Sequence, residues 1–318
     1  MSAPITTPEQ DAAARRTAQD EASGTVVDPL ARDAGAPLGQ PGRRSSAARL
    51  FALGRRPSWT LVLAVAVVVV AVLWAVAPGL FTSQNPIEGV PADKLLPPSA
   101  AHWFGTDAIG RDLFSRVVYG AIHSLSGALI AVTVGLAAGT VIGVIAGSVG
   151  GVLDDILMRV VDVLLSIPGL LLSLSIIILL GFGTVNAAIA VGVGSVASFA
   201  RLARSEVVRV RRSDFVEAAF GSGGTFVSVL ARHVLPNSLT AVVGLAALQF
   251  GAAILAISTL GFLGYGAPPP TPEWGLLIAE GRNYVATAWW LTTLPGLVVV
   301  IVVLSANRIS QSIGRGHR

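Results

Sequence analysis

The amino-acid sequence predicts an all-α, polytopic membrane protein with six transmembrane helices and both termini on the cytoplasmic side. Three observations carry this. Of the 318 residues, 53% are hydrophobic and only 13% charged, about half the roughly 25% charged residues of a soluble domain, so much of the surface must meet lipid. Uncharged stretches long enough to cross a bilayer recur along the chain. The basic residues, 21 Arg and one Lys, fall on alternate segments between those stretches. With no cysteine in the chain, disulfide stapling, thiolate catalysis and cysteine-based metal sites are excluded.

Residues 1–58 are rich in Ala, Arg, Asp, Ser, Gly and Pro without apolar periodicity. Such a composition cannot bury enough surface to offset the entropy of ordering, so the stretch reads as a disordered tail. Nor is it a secretory signal, because the first apolar run begins only near Trp59. The 31 residues from Pro57 to Ile87 contain no Asp, Glu, Lys or Arg, and one span fits near 60–80. A second uncharged run covers the 37 residues Val117 to Leu153, enough for one helix of about 20 residues with its flanks, near 120–147. The third covers the 38 residues Val163 to Ala200. Gly181-Phe-Gly-Thr-Val-Asn186 divides it into spans near 162–181 and 186–202. Two further spans follow Pro236, near 238–262 and 287–306, and residues 311–318 form a short cytoplasmic tail.

Charge decides between six spans and five. With six, the N-terminal tail, the turn containing Arg159, the loop 203–236 and the C-terminal end share one side, which collects 18 of the 22 basic residues. Lys94, Arg111, Arg116 and Arg282 remain opposite. Cytoplasmic segments carry the Lys and Arg excess, whereas five spans would export the most Arg-dense loop.

Within the second span, Gly135, Gly139, Gly143 and Gly147 continue a four-residue step begun by Gly127 and Ala131, which places all six on one helical face. Small residues there let a second helix approach backbone to backbone. No span carries a charge at its centre, which argues against an ion-coupled carrier with mid-membrane relays. Gln249 is more simply a hydrogen-bonding partner of a neighbouring helix than a pathway residue, and Pro168 and Pro295 start or kink their helices.

The loop from Arg201 to Pro236 reads as helix, glycine turn, helix. Asp214 followed by Glu217 fits a capping box. Phe215, Val216, Ala219 and Phe220 then form an apolar stripe. Gly221, Gly223 and Gly224 stop the first helix, and Leu235-Pro236 stops the second. An apolar stripe on a cytoplasmic helix pair needs a protein partner. Glu217-Ala218-Ala219, Gly223, Leu235 and Pro236 together resemble the EAA signature of ATP-binding-cassette (ABC) importer permeases. His102 to Gly120 and Leu260 to Tyr284 resemble the second permease subunit of dipeptide, oligopeptide and nickel importers, and the resemblance covers about residues 58–310. One departure is Phe220-Gly-Ser-Gly-Gly224, where the family carries a bulkier run; it bears on the length and stiffness of the first helix.

This resemblance implies a type I importer permease fold and transport of a peptide, nickel or another small solute. It implies docking of an ATPase subunit on Phe215, Glu217, Ala218, Ala219, Phe220, Gly223, His233, Leu235 and Pro236. The implied partners are a homologous permease, two cytoplasmic ATP-binding subunits and an extracytoplasmic substrate-binding protein. Asp107, Arg111, Asp112, Pro270 and Trp274 would meet that binding protein. From Arg111 onward, Leu113, Phe114, Val117, Val118 and Ala121 fall on one arc and Arg111, Asp112, Ser115 and Arg116 on the other, predicting an interfacial amphipathic helix, with Asp107, Arg111 and Asp112 as a local ion-pair set.

The chain is not expected to be an enzyme. A Walker A loop needs a Lys that reaches the phosphates, and the single Lys94 lies in an extracytoplasmic setting. No cofactor is expected here, since ATP and Mg would sit on partner subunits. His102, His123, His233 and His317 lack a paired metal spacing, and no Ser, His and acid set is evident. The tail has basic residues but no interleaved aromatics, so no nucleic-acid partner is expected.

Overall fold

The computed structural model describes residues 59–315. The expected disordered tail, residues 1–58, and residues 316–318 lie outside them. No strand forms among the described residues beyond one isolated bridge, Thr106 to Asp112. The main helices are α1 (Trp59–Val76), α2 (Leu113–Val149), α3 (Gly151–Ser166), α4 (Gly169–Leu180), α5 (Thr184–Arg211), α6 (Asp214–Gly221), α7 (Phe226–Val229), α8 (Leu235–Phe262), α9 (Trp274–Gly281) and α10 (Trp290–Arg315). Residues 311–315, expected as tail, continue α10.

Aliphatic α1 has only Ala64 and Ala71 buried, leaving most of its circumference for lipid. By contrast, α2 is the central post. Its 37 residues make a rod of about 55 Å, longer than the roughly 30 Å of a bilayer core, and Asp112 caps it by accepting the Ser115 N–H at 2.7 Å. Its main partner is α5. A Cβ at Gly139 would lie 2.5 Å from both Phe199 Cβ and the Val196 carbonyl, one at Gly143 2.4 Å from the Ala200 carbonyl, and one at Gly147 2.9 Å from the Arg204 carbonyl. At Gly135 the contact is the Ser195 Cβ at 2.8 Å. Each turn of the small-residue stripe thus meets one turn of α5, and dispersion between tightly packed backbones replaces the hydrophobic drive missing in lipid.

Five helical stretches are long and apolar enough to cross a membrane, and α3 with α4 forms a pair bent by 96°. The third crossing, expected near 162–181, thus begins earlier, at Gly151, and it bends at Pro168, where a helix start or kink was expected. Ile167 precedes a proline and is extended, with φ −88° and ψ 128°, as the proline ring requires. The 12 residues of α4 cover about 18 Å and cannot cross alone. Contacts settle the path. Asp154, in the first turn of α3, pairs with Arg204 near the C-terminal end of α5, and Phe182, just after α4, stacks on Tyr265 beyond the C-terminal end of α8. The bent pair leaves from one end of the bundle and arrives at the other, so it makes the third of six crossings.

The N-terminal end of α2 corrects another expectation. Leu113, Val117, Val118 and Ala121 are buried, but so are Arg111, Asp112, Ser115 and Arg116. Instead of an interfacial amphipathic helix, this is the fully enclosed start of α2, covered by α9, by residues 95–112 and by the start of α10, where the Trp290 indole donates to the Thr106 carbonyl at 3.3 Å.

Candidate functional site

At the C-terminal end of α2 and α5 the chain builds a small projecting knob. Val207 and Val210 of α5, Val216 of α6, Val229 and Val234 form a buried cluster, with Val144 of α2, Ala219 and Leu230 packed on it. Arg211 adds a tie across the base, donating to the Gly147 carbonyl at 2.9 Å. Arg204 of α5 holds Asp154 of α3 through two parallel bonds, Nε to Oδ1 at 2.5 Å and Nη2 to Oδ2 at 2.6 Å. The knob is therefore rooted on three crossings.

The expected capping box does not form. Ser213, extended at φ −85° and ψ 147°, occupies the cap position without a side-chain bond, and its carbonyl receives the Glu217 N–H at 3.2 Å. This places Glu217 one residue too far along to reach back. The apolar stripe also divides. Val216 turns into the knob and Ala219 is half-buried, whereas Phe215 and Phe220 are 48% and 42% exposed. On the same knob Phe226 and Val227 are 44% and 72% exposed, and the sequence reading did not single them out. Their number and hydrophobicity were visible, but which face α7 shows depends on how it packs.

Glu217, Ala218, His233 and Pro236 are exposed and Leu235 is half-buried. Gly223 is exposed at φ +87° with open space around its Cα, and its N–H closes the end of α6 on the Phe220 carbonyl at 2.9 Å. Since only backbone strain opposes a side chain here, Gly223→Ala should destabilise the knob by about 1 kcal/mol. Faster amide exchange over residues 214–229, with the spans unchanged, would show it.

Pro236 was expected to end the second helix, and it does not. Leu230–Val234 form a π-helical turn that runs directly into α8. The widened turn relieves the clash that a proline makes with the carbonyl four residues back. Nearby carbonyls find side-chain donors, Asn237 Nδ2 to His233 at 2.6 Å and Ser238 Oγ to Val234 at 2.8 Å.

The opposite end of the bundle holds a buried polar cluster. Arg111 Nε meets Asp107 Oδ2 at 2.5 Å, and Arg116 Nη1 bridges Asp107 Oδ2 at 2.9 Å and Glu280 Oε2 at 2.5 Å. Burial works to raise the Asp107 carboxyl, but the backbone N–H groups of Arg111 and Ile109 and the Arg111 guanidinium prevail and hold it below the ordinary carboxylate value. Asp112 stands apart from this set, since it caps α2 and pairs with His102 at 2.9 Å. Asp107, Arg111 and Asp112 are 5%, 7% and 5% exposed and Trp274 is fully buried. All four are thus corrected as binding-protein contacts, because a side chain enclosed by its own chain presents no surface to another. Among those five, Pro270 alone is exposed.

Beside this cluster lies a carboxylate that the sequence reading missed. Glu273 is fully buried and caps α9, accepting the Gly275 N–H at 3.0 Å and the Leu276 N–H at 3.1 Å. Burial pushes its carboxyl up to about 7, against the pull of those two N–H groups and the Ser124 hydroxyl. Neighbouring Trp274 ties α9 to α2 through its indole N–H, 2.9 Å from the Val117 carbonyl. A lone Glu after Pro272 gives no sequence signal of this; enclosure by Gly261 and Gly266 creates it.

A six-crossing helical bundle with a glycine-hinged apolar knob between its fourth and fifth crossings defines a membrane permease component. The family model described as binding-protein-dependent transport system inner membrane component matches residues 139–316, and the chain belongs to that family, whose members are multi-pass proteins of the bacterial inner membrane. It is 40% identical over 242 residues, 76% of this chain and 80% of the relative, to the dipeptide transport system permease protein DppC of Alkalihalophilus pseudofirmus. Identity to the probable D,D-dipeptide transport system permease protein DdpC of Escherichia coli K12 is 37%, over 89% of this chain and 95% of that one. Among solved structures, an inward-facing MetNI methionine ABC transporter shares the fold, with a TM-score of 0.51 at 20% identity over 63% of this chain and 97% of its own. An amino acid ABC transporter gives the same TM-score at 14% identity, over 64% and 94%.

Proposed function

We propose that this chain is one permease of an ATP-driven importer of short peptides and that the knob between α5 and α8 receives the motion of a separate ATPase. A homologous permease supplies the other half of the pathway, two cytoplasmic subunits bind ATP and Mg, and an extracytoplasmic binding protein delivers the cargo. The knob then faces the cytoplasm, together with both termini, in accord with the basic residues gathered at that end. One observation carries the reading. Phe215, Phe220, Phe226 and Val227 are left exposed on an element anchored to α2 and α5 by a buried valine cluster. Exposed aromatics on a rigidly rooted projection suit insertion into a groove of a partner, and a push there passes to spans that are close-packed along their length. Peptide cargo rests on the relatives, whose names specify dipeptides.

Phe215→Asp combined with Phe220→Asp should abolish co-purification of the ATPase and ATP-driven dipeptide uptake into vesicles, while the permease pair stays assembled, because both side chains already face outward. Normal ATPase recovery and normal uptake would refute docking. Growth on a defined dipeptide as sole nitrogen source, with and without the gene, tests the cargo.

A further inference from the structure

Arg116 is fully enclosed, yet only one of its three nitrogens is engaged. Nη1 serves both Asp107 and Glu280, while Nε and Nη2 have no hydrogen-bond partner among the described residues. Those two nitrogens form one edge of the guanidinium, the edge that grips a carboxylate through two parallel bonds. The chain uses the same edge of Arg204 in that way on Asp154. Buried donors without partners are costly, since each has given up its hydrogen bonds to water. Around Arg116 lies a cavity of about 300 Å³, lined by Arg111, Glu280, Asn283 and Tyr284 among others.

The geometry points to a carboxylate-binding site in this cavity, in which Arg111 and Arg116 together hold the carboxylate of a small solute. It rests on the peptide reading above only in naming the free C-terminus of a short peptide as the natural carrier of that group. Two arginines already converge on one oxygen of Glu280, Arg116 Nη1 at 2.5 Å and Arg111 Nη2 at 3.3 Å. Glu280 is also the most exposed member of the cluster, at 29% against 8% or less for Asp107, Arg111 and Arg116. Because Nε and Nη2 are sealed from solvent and Glu280 occupies Nη1, a ligand enters by exchange at Nη1, and the guanidinium then turns its free edge towards it. Glu280 swings out towards Asn283 and the incoming carboxylate takes its place, leaving the net charge of the site unchanged. Asp107 stays, being fixed by the backbone N–H groups of Ile109 and Arg111 at 2.9 and 3.0 Å. The site lies at the end of α2 away from the knob, where a solute arrives before it enters the bundle.

The test uses the assembled transporter in nanodiscs, with ¹³C-acetate as the probe in saturation-transfer NMR. Acetate should bind saturably, Glu280→Gln should tighten it about tenfold by removing the internal competitor, and Arg111→Gln should weaken it at least tenfold. Dialanine with a free C-terminus should compete and dialanine amide should not. An unchanged affinity in Glu280→Gln, or equal competition by the amide, would overturn the site and leave water as the occupant. Melting temperature and gel-filtration profile of each variant separate loss of binding from loss of fold. ATP-driven dipeptide uptake in the same preparation is an independent readout, so a failed acetate experiment with normal uptake sinks the site and not the importer reading.

Discussion

Gly143→Val should leave almost no folded permease in the membrane. A Cβ at Gly143 would stand 2.4 Å from the Ala200 carbonyl, 2.7 Å from the Ala203 Cβ and 2.8 Å from the Arg204 nitrogen. Two of these three are backbone atoms of α5, so no rotamer change relieves the overlap and the helices must separate. Over-packing by even a methylene costs about 1–3 kcal/mol where side chains can adjust, and a three-carbon side chain against backbone exceeds that. Once α5 moves off, Gly139 and Gly147 lose their contacts too, and the loss spreads along the seam. Gly244→Ala in α8 is the control, since nothing lies within 4 Å of a Cβ there and the change should be neutral within about 0.5 kcal/mol. Equal yields and thermal midpoints for the two variants in detergent would contradict close α2–α5 packing.

The second large effect concerns pH and Glu273. Its carboxyl is raised in the folded protein from an ordinary 4.5 to about 7, so the folded state holds this proton more tightly than the unfolded chain does. The resulting stabilisation is complete below about pH 4.5 and is lost as pH rises through about 7. For a difference of this size the full change is roughly 3 kcal/mol. Glu273→Gln keeps the shape and cannot ionise. Relative to the parent protein it should therefore gain thermal stability steadily from pH 5 to pH 8, and lose the same gain on return to pH 5. A parent-minus-variant difference that stays flat across that range would show that Glu273 does not titrate there. The stability change should localise to α9, which Glu273 caps, and to its seam with α2.

The sequence determined the features that depend on composition and local spacing. Long uncharged runs require lipid as solvent whatever the packing, so the helical membrane class and the approximate positions of the crossings were legible. A strict four-residue repeat of small residues fixes one face of a helix, so the α2 seam could be read before its partner was known. Likewise the loop motif placed the knob between the fourth and fifth crossings. Tertiary structure alone decided how polar groups are shared and which way short elements face. Asp107, Arg116 and Glu280 are up to 173 positions apart by number and only folding makes them one cluster, while Glu273 acquires its raised proton affinity from glycines that close over it. Phe215 and Val216 are adjacent and equally apolar, yet one is exposed and the other enclosed, because α6 packs on α5. The π turn before Pro236 and the 96° break at Pro168 belong to the same category. Proline forbids one hydrogen bond, and whether the chain stops, bends or widens is settled by the energy of everything packed around it.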